Sequence, residues 1–306
     1  MSEIFDFLKK TEAERKKNAI RSMPGVSSLP FAESALPAPT VMATVPKAEP
    51  GLSGLISSEI SFRPAPKKEE LLPAETFDLS QATYQLQNAL DPMTIFGEQF
   101  RVLRTKLMLL QKQNGMRTIL MTSTVPQEGK SFTSCALGGV IAQEQGKRVV
   151  IIDADMRKNG SGRDFGINGN NGVIGTAQVL QGIVEFQKSL MKSVKPEFWF
   201  LPSGSLPTNP SELLSSPNLE RMIKYAASNF DFVIVDAPPV MSLSDPSLIA
   251  PLCDAVVLVV RANSTSSKLV METINRIGRE RICGMVLNRK KQIHTSQYYY
   301  QYYYRK

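Results

Sequence analysis

STVPQEGKSFTSC, residues 123–135, decides how the rest of this 306-residue chain is read. It follows the apolar run RTILMTS (117–123), which has the composition of a strand, and its Gly129-Lys130-Ser131 opens a helix predicted to run from Gly129 to about Gln145. A strand that feeds such a turn and then a helix forms an anion site. Backbone N–H groups and the positive end of the helix point at the same place. Lys130 can then reach the outer phosphates of a nucleotide, and the Ser131 hydroxyl can ligate Mg²⁺. Gln127, Glu128, Gly129, Lys130, Ser131 and Phe132 are the candidate nucleotide-binding residues. The usual first glycine of GxxxxGK[ST] is Thr124 here, so the loop supplies the second half of a P-loop and its context carries the reading.

Outward from this loop, strand-like and helix-like stretches alternate. The predicted strands are 117–123, RVVIIDAD (148–155), FWFLPSG (198–204), FVIVDAP (232–238), AVVLVVRA (255–262) and ICGMVLN (282–288). The predicted helices cover Thr94–Lys112, 129–145, 211–228 and 265–279. Near-continuous β-branched and apolar strands are those covered on both faces. The expected fold is therefore α/β: a P-loop NTPase-like, doubly wound, mostly parallel sheet flanked by helices. Such sheets bind ligands at the carboxyl ends of their strands. Asp153 and Asp155 fall there, two apart and so on one side of an extended chain, with Arg157 next; these are expected to face the phosphate loop. Asp236 ends another strand and fits the acid that holds Mg²⁺ through a water. The candidate catalytic residues are Lys130, Asp153, Asp155 and Arg157, and the candidate metal residues are Ser131, Asp153, Asp155 and Asp236.

Composition limits the alternatives. There is one histidine, and Cys135, Cys253 and Cys283 have no CxxC spacing, so neither a zinc site nor a disulfide framework is expected; all three cysteines read as buried apolar residues. No apolar run is long enough to cross a bilayer and the first ten residues lack the order of a secretory signal, which points to the cytoplasm. Residues 1–20 read as a short amphipathic segment and 21–90 as a Pro/Ala-rich flexible linker. The P-loop domain is expected over 91–290, and a tyrosine-rich tail over 291–306. Of the net charge of +8, the stretch 276–306 carries +7: eight Lys or Arg against the single acid Glu280. Such an end favours anionic partners, and charge alone does not choose among phosphates, acidic lipid and nucleic acid. Without a base-reading module, no nucleic-acid partner is expected.

Together the PxEGKS loop, VVIIDADMR, FVIVDAPPV, NPSELLSS (209–216) and the closing QYYYQYYYRK resemble the bacterial tyrosine kinases of capsule and exopolysaccharide systems, over roughly the last two thirds of the chain. The resemblance implies an ATP- and Mg²⁺-dependent autokinase of the soluble type that phosphorylates its own tail. The acceptors would be Tyr298, Tyr299, Tyr300, Tyr302, Tyr303 and Tyr304. One of Asp153 and Asp155 would accept the tyrosine proton and the other would help hold the metal; the sequence does not assign which. The family's ExxRxxR motif is present as Glu98, Arg101 and Arg104, implying a protomer contact in a homo-oligomeric ring. A membrane-embedded polysaccharide co-polymerase as activator, a cognate tyrosine phosphatase and recruitment to the inner face of the cytoplasmic membrane are implied in the same way. Asn288 resembles a purine-contacting position of related P-loop proteins. Gln127 stands where family members often carry glycine, which puts ordinary phosphate binding in question.

Two other readings share the loop. A Par/Min-type ATPase would carry an early signature lysine, where this chain has Val125, and would need no tyrosine cluster. A nucleotide-binding adaptor of a polysaccharide assembly would tolerate Gln127.

Overall fold

The computed structural model describes residues 71–73, 75–158, 160–167 and 173–289. The amphipathic segment 1–20, linker residues up to 70 and the tyrosines of 298–304 lie outside the described residues. Eight strands among the described residues form one sheet: β1 (Glu75–Phe77), β2 (Thr118–Ser123), β3 (Val149–Asp153), β4 (Met191–Ser193), β5 (Trp199–Leu201), β6 (Phe232–Asp236), β7 (Ala255–Arg261) and β8 (Ile282–Asn288). Their order is β1-β4-β5-β3-β6-β2-β7-β8, and every neighbouring pair is parallel except β4 with β5. The central strands β2, β3 and β6 are buried at every residue, because helices cover both faces. The flanking helices are α1 (Tyr84–Leu90), α2 (Ile95–Asn114), α3 (Lys130–Ala142), α4 (Gly160–Asp164), α5 (Thr176–Leu180), α6 (Pro210–Leu214), α7 (Pro217–Asn229), α8 (Asp245–Ile249) and α9 (Ser267–Ile277).

The two-residue period of the strands sorts the core into two layers. Leu120, Val150, Ile152, Val233 and Val235 face one layer with Leu219, Met222 and Ile223 of α7. Ile119, Met121, Ile151, Phe232 and Ile234 face the other, with Leu137, Val140 and Ile141 of α3. A Cβ on Gly138 would overlap the Ile151 side chain, so the glycine lets α3 lie close on the sheet. That closeness brings the first turn of α3 against the carboxyl ends of β3 and β6.

Four sequence expectations change. The linker expected over 21–90 ends earlier, since Leu79, Leu86, Ala89 and Leu90 are buried and β1 and α1 belong to the domain. The proline-rich composition stops at Pro73, and folded sequence follows almost at once. Strands β1 and β4 add two to the six expected; each is three residues long, too short for a period to register. The helix expected over 211–228 is two, α6 and α7, because Pro217 begins a new helix where its ring and missing N–H exclude continuation. Cys283 is exposed rather than buried, as β8 lies at the edge of the sheet.

Candidate functional site

Gly129 holds φ 92°, and a Cβ there would overlap the Asn288 amide, so only glycine fits the step from loop to helix. Lys130 begins α3, and its ammonium lies over the tips of β3 and β6. Lys130 Nζ donates to Asp155 Oδ2 at 2.9 Å and to Ser131 Oγ at 3.1 Å, and stands 3.6 Å from Asp236 Oδ1. Around it, Asp153 and Asp236 are wholly buried and Asp155 nearly so. Ser161 Oγ donates to Asp236 Oδ2 at 3.0 Å, and Ser134 Oγ lies 3.3 Å from Asp236 Oδ1. The backbone N–H groups of Asp155 and Ser161 both donate to Asp153, at 3.0 and 3.3 Å.

Burial alone would lower the Lys130 pKa, but Asp236 and Asp155 outweigh it and leave the ammonium firmly charged. Burial raises Asp153 well above the carboxylate range, and Asp236 adds to the rise. Asp236 is raised by burial too, against the pull of Lys130 and a Ser131 hydrogen bond. Asp164, at the end of α4, is pushed up to about 6 by burial and by Asp236. Acids therefore outnumber the cation at this point, and burial disfavours the charged forms of Asp153, Asp236 and Asp164. A divalent cation would offset the same excess. Among the described residues no group of three or more carboxylate, imidazole or thiol side chains could by itself hold a metal ion. Mg²⁺ keeps several waters and is held by one or two carboxylates plus the phosphates of a substrate. Ser131 and Asp236 fit that partial donor set.

Asp155 reaches the site by a route the sequence did not suggest, and the remaining candidates make other contacts. Strand β3 ends at Asp153, so Asp155 is not related to it by the alternation of an extended strand. A turn follows, in which Lys158 N donates to Asp155 O at 3.1 Å, and this turn carries Asp155 back to Lys130. Arg157, expected to face the phosphate loop, is instead held by Asp245 and Ser211: Nε to Asp245 Oδ2 at 3.2 Å and a terminal nitrogen to Ser211 Oγ at 2.9 Å. The cause is Asp245, a buried acid that needs a cationic partner. The Glu128 carboxylate also turns inward. It accepts from Val125 N at 2.9 Å, Arg261 N at 3.0 Å and the Thr265 hydroxyl, bracing the loop against the end of β7. Asn288 Nδ2 donates to Glu128 O at 2.8 Å, adding a strut from β8. Phe132 packs among Phe96 and Phe100 of α2, with ring centroids 5.9 and 6.0 Å away. Gln127 is exposed and holds φ 67°, the left-handed region that glycine favours.

The ExxRxxR residues on α2 make contacts within the chain. Arg101 Nε donates to Glu98 at 2.7 Å, and a terminal nitrogen donates to Pro92 O at 2.7 Å. Arg104 bridges to α3 through Val140 O at 3.2 Å and to Glu144 at 2.8 Å. No helix among the described residues is long and apolar enough to cross a membrane.

Sequence reasoning missed Asp164, Asp245 and Ser211. In Ser244-Asp245-Pro246 the local signal is a helix start, which hides an ion pair made 88 residues away. Ser211 lay inside the NPSELLSS segment, which offered a motif without a role.

Residues 116–284 match the family model described as an AAA domain. The tyrosine-protein kinase YwqD of Bacillus subtilis is 31% identical over 212 residues, which are 69% of this chain and 88% of that protein. The tyrosine-protein kinase wzc of Salmonella typhimurium is 31% identical over 219 residues, 70% of this chain but 30% of that longer protein. Among solved structures, the kinase domain of the Escherichia coli tyrosine kinase ETK superposes with a TM-score of 0.62 at 26% identity, covering 73% of this chain and 93% of that one.

Proposed function

This chain belongs to the AAA-domain family and to the bacterial tyrosine-protein kinases, and on that premise we propose that it transfers the terminal phosphoryl group of ATP to the tyrosines of its own C-terminal end. The observation that supports this best is the placement of Lys130, at 2.9 Å from Asp155 and 3.6 Å from Asp236, at the first turn of the helix that follows the phosphate loop. The loop's backbone N–H groups and the start of α3 receive the phosphates of ATP. Lys130 leaves its carboxylates for the outer phosphates and holds the charge that develops there. Magnesium, when bound beside Ser131 and Asp236, supplies further positive charge at the phosphates.

A phenol of pKa near 10 must give up its proton as it attacks. Asp153 and Asp155 are the groups within the site that can take it, with Asp155 the more accessible of the two. The acceptors are Tyr298, Tyr299, Tyr300, Tyr302, Tyr303 and Tyr304, presented to a neighbouring protomer's site in a ring joined through Glu98, Arg101 and Arg104. Each phosphate adds about −1.5 to −2 charges, so several would overturn the +7 of residues 276–306. On this reading the tail is both substrate and switch. It acts in the regulation of exopolysaccharide polymerisation and export, on the cytoplasmic face of the membrane. A membrane-embedded co-polymerase activates the kinase and a tyrosine phosphatase reverses it.

Incubation of the purified chain with Mg-ATP tests the reading. The expected product is phosphotyrosine mapped to 298–304, and replacing those six tyrosines by Phe should remove most of it while ATP still binds. Phosphate release without phosphotyrosine would favour a Par/Min-type ATPase. Neither product would favour a nucleotide-binding adaptor.

A further inference from the structure

Arg157, Ser211 and Asp245 come from three separate segments: the turn after β3, the first turn of α6 and the first residue of α8. They meet in one clamp. The Ser211 hydroxyl donates to Asp245 Oδ1 at 2.8 Å and accepts from Arg157 at 2.9 Å, while the guanidinium also reaches both oxygens of Asp245, at 3.2 and 3.4 Å. The Asp245 side chain is 2% exposed and that of Arg157 36%, so the acid is fixed in the fold and the arginine is the part that could swing. A buried charge kept in this way is weak support for stability and is better explained by the geometry it specifies.

That geometry bears on the site through a short path. Arg157 lies two residues past Asp155 in a tight turn, closed by Asp155 N on Asp153 Oδ1 at 3.0 Å and by Lys158 N on Asp155 O at 3.1 Å. A shift of Arg157 therefore passes directly to the carboxylate that holds Lys130. We propose that Asp245 is a positioning residue for phosphoryl transfer, acting through Arg157 to fix the Asp155 turn against Lys130, with Ser211 locking the pair. The NPSELLSS segment thereby acquires a role: its serine is the third member of the clamp. The inference rests on the kinase reading above and extends it to residues remote from the phosphate loop.

Asp245→Asn keeps the volume and removes the charge. The expected result is a fall in kcat for tail phosphorylation of roughly ten- to hundredfold, with KM for ATP changed by no more than about threefold, because positioning errors act on the reacting geometry. Arg157→Ala should lose a similar amount, and the double variant should be no slower than Arg157→Ala alone, since both changes cut one path. Where Asp245→Asn melts below the assay temperature, Ser211→Ala serves instead, with an expected loss in kcat of about threefold at a temperature where it stays folded and a melting temperature lower by only a few degrees. An unchanged or increased kcat in the variants, equal changes in kcat and KM, or additive losses in the double variant would overturn the proposal. Lack of phosphotyrosine in the wild-type chain would instead overturn the kinase reading itself.

Discussion

Two groups of charged residues look alike as sequence motifs and differ sharply in the fold. Lys130 with Asp153, Asp155 and Asp236 is drawn from a helix start, two strand tips and the turn after β3, and is nearly closed to solvent. Glu98, Arg101 and Arg104 sit along one helix, where Glu98 is 45% exposed and the two arginine side chains lie mostly covered against their own chain. In the first group one cation faces three acids, and burial raises the pKa of two of them, Asp153 and Asp236. In the second each charge already has a neighbour of opposite sign or a carbonyl within the same chain. The contrast separates acids crowded around one buried cation from charges paired along the surface of one helix.

The comparison breaks most visibly at Lys130. Lys130→Met removes the cation that faces Asp153, Asp155 and Asp236 among the described residues, and the rate of phosphotyrosine formation should fall on the order of a thousandfold; a quantitative antibody assay with Mg-ATP checks this. A fall of less than tenfold would place the chemistry elsewhere. Next is pH. Asp164 rises from 3.8 when unfolded to about 6 in the fold, so below about pH 4 both states hold the proton and its contribution to stability is complete. That contribution is lost as pH climbs through 6, amounting to about 3 kcal/mol at most. Melting of metal-free wild type compared with Asp164→Asn over pH 4 to 7 should show the wild type losing ground as pH rises. Parallel curves would remove Asp164 from the buried group.

At the loop between the groups, Gln127→Gly should gain about 0.5 to 1 kcal/mol, because relief of a left-handed backbone slightly exceeds the entropy cost of glycine. Denaturant unfolding reads the difference. The smallest effect belongs to the surface group. Glu98→Ala should change folding stability by less than about 0.5 kcal/mol, yet sedimentation of the same variant should show smaller assemblies if α2 joins protomers. A large loss of stability without change in size would make the motif a feature of the single chain.

The fold could be read from the sequence where strands are long and continuously apolar, and where Gly129-Lys130-Ser131 fixes the turn into α3. It was obscure where pairing is made at a distance: β1 and β4 are three residues each, and nothing local marks Glu75–Phe77 as a partner of Met191–Ser193. That Lys130, Asp153 and Asp236 would meet was legible because the phosphate-loop turn and the ends of β3 and β6 lie at one edge of the sheet, whereas Asp155 joins them by a turn and not by strand alternation. At Glu128 the loop position did not reveal that the carboxylate braces Arg261 and Thr265. Arg157 misled for the complementary reason: its partner Asp245 is hidden in a helix start far along the chain.

The central claim is that the acids around Lys130 are there for a cation that arrives with the nucleotide. Calorimetric titration of the wild-type chain with ATP, with and without Mg²⁺, tests it directly. With Mg²⁺ the account predicts tight binding accompanied by proton release, as Asp153 and Asp236 ionise toward the metal. Without Mg²⁺ the triphosphate lacks the metal's charge and its link to the carboxylates, and binding should weaken by at least tenfold, on the order of 1.4 kcal/mol. Equal affinity in the two titrations, with no proton released in either, would contradict it.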